Sequence, residues 1–159
     1  MRILLFSDSH GAIHNMLKAI HKNKNIDMII HLGDFARDAL ELKVIHPDIS
    51  LEIVKGNNDW SGEFPWEKLL ELDGKKIFIT HGHFYNVKHD YQRIVAKGKS
   101  VGADAVFFGH THLTEETFLE GMLLLNPGSI GLSSQSGSPT CCTVEIKDEK
   151  ILPRFVGFN

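Results

Sequence analysis

An α/β fold built on two sheets is what this sequence predicts, and three observations carry it. Over the first 60 residues, short apolar runs alternate with segments of helical periodicity. After that, apolar runs flank turn residues in the manner of hairpins. Hydrophobic residues make up 42% of the 159 positions and charged residues 23%, the balance of a globular chain with a core of its own. A single domain spanning residues 1–159 is expected at this length.

The elements follow in order. Arg2 to Phe6 is a compact apolar run closed by small polar residues, as a buried strand would be. Ile13, Leu17 and Ile20 recur at helical spacing. Asp27 to Leu32 reads as a second strand stopped by Gly33, and residues from about Asp34 to Val44 favour a helix ended by His46-Pro47. Leu51 to Val54 is a third strand, followed by the turn-rich Gly56-Asn57-Asn58-Asp59. Strand, helix, strand, helix, strand describes a parallel sheet covered on its faces.

The second half changes character. Leu69 to Leu72 and Lys76 to Thr80 flank Asp73-Gly74, a hairpin turn. Tyr91, Ile94, Val95 and Val101 mark a helix, and Ala105 to Phe108 another buried strand. Thr117 to Glu120, Met122 to Leu125, Thr140 to Ile146 and Ile151 to Val156 are strand-like, and their hairpins imply antiparallel pairing and a second sheet. The Ser/Gly-rich stretch Ser133 to Ser138 reads as a loop.

Charge and composition narrow the function classes. With 17 Lys and Arg against 20 Asp and Glu, the net charge of -3 argues against broad electrostatic binding to nucleic acid or anionic membranes, while a local cationic site stays open. Cys141 and Cys142 are adjacent and cannot build a disulfide framework. The apolar stretch Ile3 to Phe6 is too short for a signal-peptide core, and no run approaches the roughly 18 residues of a membrane span. A cytoplasmic location is therefore expected. The unusual number is ten His.

Residues able to bind metal gather just past strand ends. Asp8 and His10 follow the first strand, Asp34 the second, Asn57 the third, His81 the second strand of the hairpin, and His110 with His112 the strand ending at Phe108. Loops converge at that edge of an α/β sheet. If extended, Asp8-x-His10 and His110-x-His112 would each point two side chains into one cleft. Two carboxylates, one amide and four imidazoles, with no Cys among them, argue against a thiolate structural zinc site. Mixed nitrogen and oxygen donors suit manganese, iron, nickel, cobalt or zinc. Seven ligands are right for two ions that share a carboxylate and keep positions open for water and substrate.

Asp8-Ser9-His10, Gly33-Asp34, Gly56-Asn57-Asn58-Asp59, His81-Gly82-His83 and Gly109-His110-Thr111-His112 resemble the ordered motif set of the calcineurin-like metallophosphoesterases. Asn126-Pro127-Gly128-Ser129 is similar to the small single-domain phosphodiesterase branch of bacteria and archaea. The resemblance implies a two-sheet β-sandwich flanked by helices, a four-layer α/β/β/α arrangement. It also implies a dinuclear site, commonly manganese. It assigns Asp8, His10, Asp34 and His112 to one ion, with Asp34 bridging to a second that Asn57, His81 and His110 complete. The implied reaction is hydrolysis of a phosphoester, most readily a phosphodiester, by metal-bound hydroxide attacking in line. A phosphomonoesterase and a non-catalytic protein-interaction scaffold of the same fold are the alternatives, and intact ligand positions argue against the scaffold. A small-molecule phosphodiester is the expected substrate; short oligonucleotides and a homo-oligomer stay open. Counted with two divalent ions, the net charge of -3 becomes +1.

One position departs from the pattern. Many relatives carry His after the Gly-Asn pair, where it is thought to protonate the leaving group; Asn58 stands there and cannot deliver a proton. His83 or solvent would then supply it, and Asp59 would orient a ligand. His83 either touches substrate or only shapes its loop. His14, His21, His46 and His89 read as surface residues, and His31 as a core histidine. Trp60, Phe64 and Trp66 either wall an apolar pocket or pack beneath their loop. Gly98-Lys99-Ser100 lacks the preceding strand and earlier glycine of a phosphate-binding loop, and Pro127 breaks the Gly-x-Ser-x-Gly spacing around Ser129.

Overall fold

The computed structural model of the protein describes residues 1–60, 62–131 and 137–158. The first half runs β1 (Arg2–Phe6), α1 (Ile13–Lys22), β2 (Met28–His31), α2 (Asp38–Ile45) and β3 (Ser50–Ile53). The second runs β4 (Glu67–Leu72), β5 (Lys75–Thr80), α3 (Gln92–Ser100), β6 (Ala105–Phe107), β7 (Thr114–Leu119), β8 (Met122–Pro127), β9 (Thr140–Lys147) and β10 (Lys150–Gly157). Residues 133–136 of the expected Ser/Gly loop lie outside the described residues.

Two mixed five-stranded sheets result, ordered β10-β9-β1-β2-β3 and β4-β5-β6-β8-β7. β1, β2 and β3 are parallel, as the alternating first half requires. The last hairpin does not extend the second sheet: β9 pairs antiparallel with β1, so the chain returns to where it began. Periodicity identifies these strands but carries no information on which open edge they join. A second difference concerns α2. It begins at Asp38 rather than near Asp34, because Asp34 and Phe35 take φ of 58° and 61°, which no right-handed helix accepts.

The sheets pack face to face. Ile3 and Leu5 of β1, Ile30 of β2, Ile77 and Ile79 of β5, Phe107 of β6 and Leu125 of β8 fill the space between them. The alternate residues face outward. Leu4, Phe6 and Ile29 lie under Met16, Ala19 and Ile20 of α1 and Leu42 of α2, while Phe78, Val106 and Leu124 lie under Ile94 and Val95 of α3. The order is helix, sheet, sheet, helix. Burial on both faces is why the central strands read as unbroken apolar runs rather than alternating ones. Gly98 has a packing role: a Cβ there would come within 2.5 Å of Met122 Sδ and 2.8 Å of Val106 Cγ2, so the glycine lets α3 approach its sheet. Among the described residues, no helix is long and apolar enough to cross a membrane.

Cys141 and Cys142 share this double burial. Cys141 lies beneath α1 and Cys142 faces the other sheet. Burial pushes both thiols up, that of Cys142 to about 12, so neither is a thiolate near neutral pH. The native protein should release no thionitrobenzoate from Ellman's reagent at pH 8, and two equivalents per chain in guanidinium. Fast reaction of the native protein would contradict this packing.

Candidate metal centre

Parallel pairing in register levels the strand ends. Phe6, His31 and Ile53 lie side by side at the ends of β1, β2 and β3, as do Ile79, Phe107 and Leu125 in the second sheet. The loops that leave these ends meet across the top of the sandwich. All seven of the expected donor residues belong to them.

Two overlapping groups form there. In the first, one donor atom from each of Asp8, His10 and His112 lies within 4.8 Å of the others; in the second, the same holds for Asp8, Asp34 and His81. Asp8 is thus common to both groups, the place that the resemblance gave to Asp34. Asp8 Oδ2 accepts from Ser7 Oγ at 2.5 Å and from the His110 N–H at 3.2 Å. Its Oδ1 lies 3.0 Å from His112 Nε2 and 4.0 Å from His81 Nε2, yet accepts no hydrogen bond. His10 Nε2 is likewise buried without a partner. A buried atom with no partner, as His10 Nε2 is, is rare and calls for an occupant, while Asp8 Oδ1 is met by His112 as an ion pair.

His81 is held in one orientation. Its Nδ1 donates to the Leu32 carbonyl at 2.8 Å, which turns Nε2 toward Asp34 Oδ1 at 3.5 Å. His110 Nδ1 lies 3.2 Å from that same Nε2. His110 and His112 therefore serve different sides of one cleft. Asn57 is exposed on the turn after β3.

Charge is distributed unevenly. Burial pushes the Asp8 carboxyl up, but His112, His81 and the Ser7 hydroxyl outweigh it and hold the group below the usual carboxylate range. Asp8 in turn raises His112 against the effect of burial. Burial and the neighbouring His81 push His110 down to about 4, and the same two causes lower His83. The cleft thus holds an ionised Asp8 carboxylate beside imidazoles of two kinds: His110 and His83 are drawn toward the neutral form that ligates metal, whereas Asp8 draws His112 toward its charged form.

The loop conformations differ from the extended pairs expected. Asp8, His10, Asp34, His110 and His112 have φ of 54°, 45°, 58°, 69° and 60°. Five left-handed residues are a strained arrangement, of order 1–3 kcal/mol each, although Asp and His tolerate that region better than most. Neighbouring side chains hold it in place. Asp59 Oδ2 accepts the N–H groups of Asp34 and Gly56, both at 2.8 Å, and its Oδ1 that of Ala36 at 2.9 Å. Asn58 grips the Asp34 carboxylate, with N–H to Oδ1 at 2.9 Å and Nδ2 to Oδ2 at 2.6 Å. Asn126 Nδ2 holds the Gly109 carbonyl at 2.8 Å, and Ser129 Oγ the Asp8 carbonyl at 2.9 Å. Motif spacing marks Ser9, Asn126 and Ser129 only as a resemblance, and Ser7 and Asp38 carry no sequence signal at all.

Comparison with known proteins now decides the family. The sequence model of the calcineurin-like phosphoesterase superfamily domain matches residues 1–149. The chain belongs to that superfamily. It is 34% identical over 158 residues to the probable metallophosphoesterase YsnB of Bacillus subtilis, covering 98% of this chain and 90% of that protein. It is 30% identical over 144 residues to the phosphodiesterase MJ0936 of Methanocaldococcus jannaschii, covering 80% and 83%. A predicted phosphoesterase from Streptococcus pneumoniae superposes with a TM-score of 0.83 at 27% identity over 98% of this chain and 88% of its own. Vps29 of Entamoeba histolytica, solved with Zn2+, superposes at 0.77 with 20% identity over all of both chains, a likeness of fold.

Within this calcineurin-like chain the remaining histidines separate. His14, His21 and His89 are exposed and His46 is half-buried. His31 is fully buried, with Nδ1 accepting the Gly33 N–H at 3.2 Å and Nε2 meeting Ser9 Oγ at 3.0 Å; Ser9 Oγ donates on to Asp38 at 2.7 Å. His83 is half-buried with Nδ1 unpartnered, its ring centroid 5.5 Å from that of His81 and 5.3 Å from that of Trp66. Of the three aromatics, Phe64 packs beside Ala36, Ala39 and Ile53, while Trp60 is 95% exposed.

Two outcomes follow from this geometry. Asp59→Asn removes one of the acceptors that fix the Asp34 backbone. It should weaken Mn2+ binding about 10–100-fold by titration calorimetry, with the circular dichroism unchanged; undiminished affinity would remove Asp59 from this role. For His31, burial lowers the folded value to about 4 from an ordinary 6.5, so its contribution is complete above 6.5 and lost as pH falls toward 4. Between pH 7.5 and 5.0 that loss is about 2 kcal/mol. Urea unfolding should show His31→Gln falling less over this interval than the parent, and parallel declines would refute it.

Proposed function

We propose that the protein is a metal-dependent phosphodiesterase of small-molecule diesters. Two divalent transition-metal ions, manganese foremost, would be held by Asp8, His10, Asp34, Asn57, His81, His110 and His112. The observation that carries the reading is the pair of overlapping donor groups around Asp8, with His10 Nε2 buried without a partner and Asp8 Oδ1 buried without a geometric hydrogen bond beside His112. The donors are nitrogen and oxygen, with no thiolate, which fits manganese, iron, nickel, cobalt or zinc and a site open to substrate. Two carboxylates offset only half the charge of two divalent ions, which leaves a net attraction for a phosphodiester anion. Bound ions would lower the pKa of water and clamp the entering and leaving oxygens of an in-line displacement.

The chain's own groups do the rest. Asn58 keeps Asp34 oriented and has its amide committed to that carboxylate, so it supplies no proton. His83, beside His81 and with Nδ1 free of any protein partner, is the group placed to donate a hydrogen bond to a leaving oxygen. With no dedicated acid, diesters with good leaving groups are favoured over alkyl diesters. A cytoplasmic site of action accords with two buried free thiols. The likeness to the M. jannaschii phosphodiesterase favours a diester over a monoester.

The test is a screen of the protein loaded in turn with Mn2+, Co2+, Ni2+, Fe2+ and Zn2+. Bis(p-nitrophenyl) phosphate should be cleaved faster than p-nitrophenyl phosphate, and Asp34→Asn should lower the rate at least about 100-fold. Asn58→His, which restores an acid and leaves the backbone contact to Asp34, should speed an alkyl diester about 10–100-fold and the aryl diester little. No turnover above Asp34→Asn with any of the metals would make the interaction scaffold the better reading.

A further inference from the structure

Beside Asp34 lies a cleft of about 460 Å³, lined by Phe35, Arg37, Asp38, Asn58, Asp59 and Trp60. That volume is in the range of small-ligand pockets. Its position ties it to the metal centre: Asn58 binds the Asp34 carboxylate, and the Phe35 ring lies 4.9 Å from that of His10. Two of its walls are expensive features. Trp60 leaves 95% of its surface in water and Phe35 45%, so a large apolar area is without packing among the described residues. Phe35 is also left-handed at φ 61°, where a bulky residue is an outlier, and that conformation brings its ring to the mouth of the site.

The polar lining identifies the occupant. Asp59 has both oxygens engaged by three backbone N–H groups, and Asp38 Oδ2 accepts from Ser9 Oγ and from the Gly11 N–H at 2.7 Å. Arg37 meets Glu63 through Nε at 3.5 Å in an exposed pair, which leaves its two terminal amino groups without a hydrogen bond among the described residues. Two aspartates to one arginine disfavour a further phosphate in the cleft. Two π faces and an unused fork of N–H donors suit a flat, neutral heterocycle with carbonyl or ring-nitrogen acceptors on its edge.

We propose that this cleft is a nucleobase subsite, so that the diester cleaved at the metal centre carries a nucleoside on one arm. The base stacks on Trp60 against Phe35, Arg37 contacts its acceptor edge, and the phosphate reaches the ions past Asn58. The inference rests on the phosphodiesterase reading for its reaction but not for its binding.

Two measurements on the Mn2+-loaded protein separate the two ideas. In the first, thymidine 5′-(p-nitrophenyl phosphate) and methyl p-nitrophenyl phosphate share a leaving group and differ in the other arm. The parent should prefer the nucleoside ester by about ten- to a hundredfold in kcat/KM, the size of one stacked base. Trp60→Ala should bring the ratio close to one, and Trp60→Phe should retain most of it. In the second, calorimetry should show thymidine 5′-monophosphate binding at least about tenfold tighter than deoxyribose 5-phosphate, with the difference erased in Trp60→Ala. Base-dependent binding without turnover supports the subsite and overturns the phosphodiesterase reading. Turnover with no base preference, or a preference that survives Trp60→Ala, overturns the subsite and leaves that reading standing.

Discussion

Asp8 and Asp34 are both buried where the two sheets meet, within reach of the same nitrogen of His81, and no Lys or Arg pairs with either among the described residues. Removing a carboxylate from water costs several kcal/mol unless charge or hydrogen bonds replace the lost solvation. The replacement here is partial. Asp8 draws on a serine hydroxyl, one backbone N–H and the neighbouring His112; Asp34 draws on the backbone and side chain of Asn58. Hydrophobic residues would fill the same volume at less cost. A chain that retains this arrangement gains something other than stability from it, and a divalent cation between the carboxylates is the counter-charge that fits their spacing.

Much of the surrounding backbone is explained by that requirement. The loops after β1, β2 and β6 each turn an Asp or His inward within a few residues of a strand end, and a left-handed residue makes that turn in the least chain. Close approach follows. A Cβ on Gly33 would fall 2.5 Å from the Gly56 nitrogen, so the loops after β2 and β3 touch backbone to backbone. Asp59 then fastens them, since its acceptors reach Asp34 and Ala36 in one loop and Gly56 in the other. Strain at the left-handed Asp and His residues is thus sustained by hydrogen bonds from neighbouring side chains.

This division explains what was legible in the sequence. The strands were, because burial on both faces gives β1, β5, β6 and β8 unbroken apolar runs. So was the gathering of Asp8, His10, Asp34, His81 and His112 at one end of the sandwich, since each follows a strand end at the edge where loops converge. The left-handed turns were not, because Asp8-x-His10 has the same spelling whether extended or coiled. Nor was the return of β9 to β1, which depends on the edge that the other strands leave open. His31 shows the same limit. Its apolar neighbours foretell burial, but the relay through Ser9 to Asp38 joins three separate parts of the chain and has no local pattern.

Asp59 also links the metal centre to the cleft at its side. It stands between Asn58, which grips Asp34, and Trp60, which walls the cleft, and three N–H groups occupy both its oxygens. The Gly56–Asp59 turn therefore cannot shift without disturbing a hydrogen bond that positions Asp34. A ligand that stacks on Trp60 would order the turn in the conformation that also holds the carboxylate, whereas a ligand lacking that group would leave the exposed indole to solvent. The proposed subsite and the bracing of Asp34 would in this way be two properties of one stretch, Gly56–Trp60. Asn58 fits the same turn: an amide braces Asp34 with a neutral hydrogen bond at any pH, where an imidazole would gain and lose a proton near neutrality.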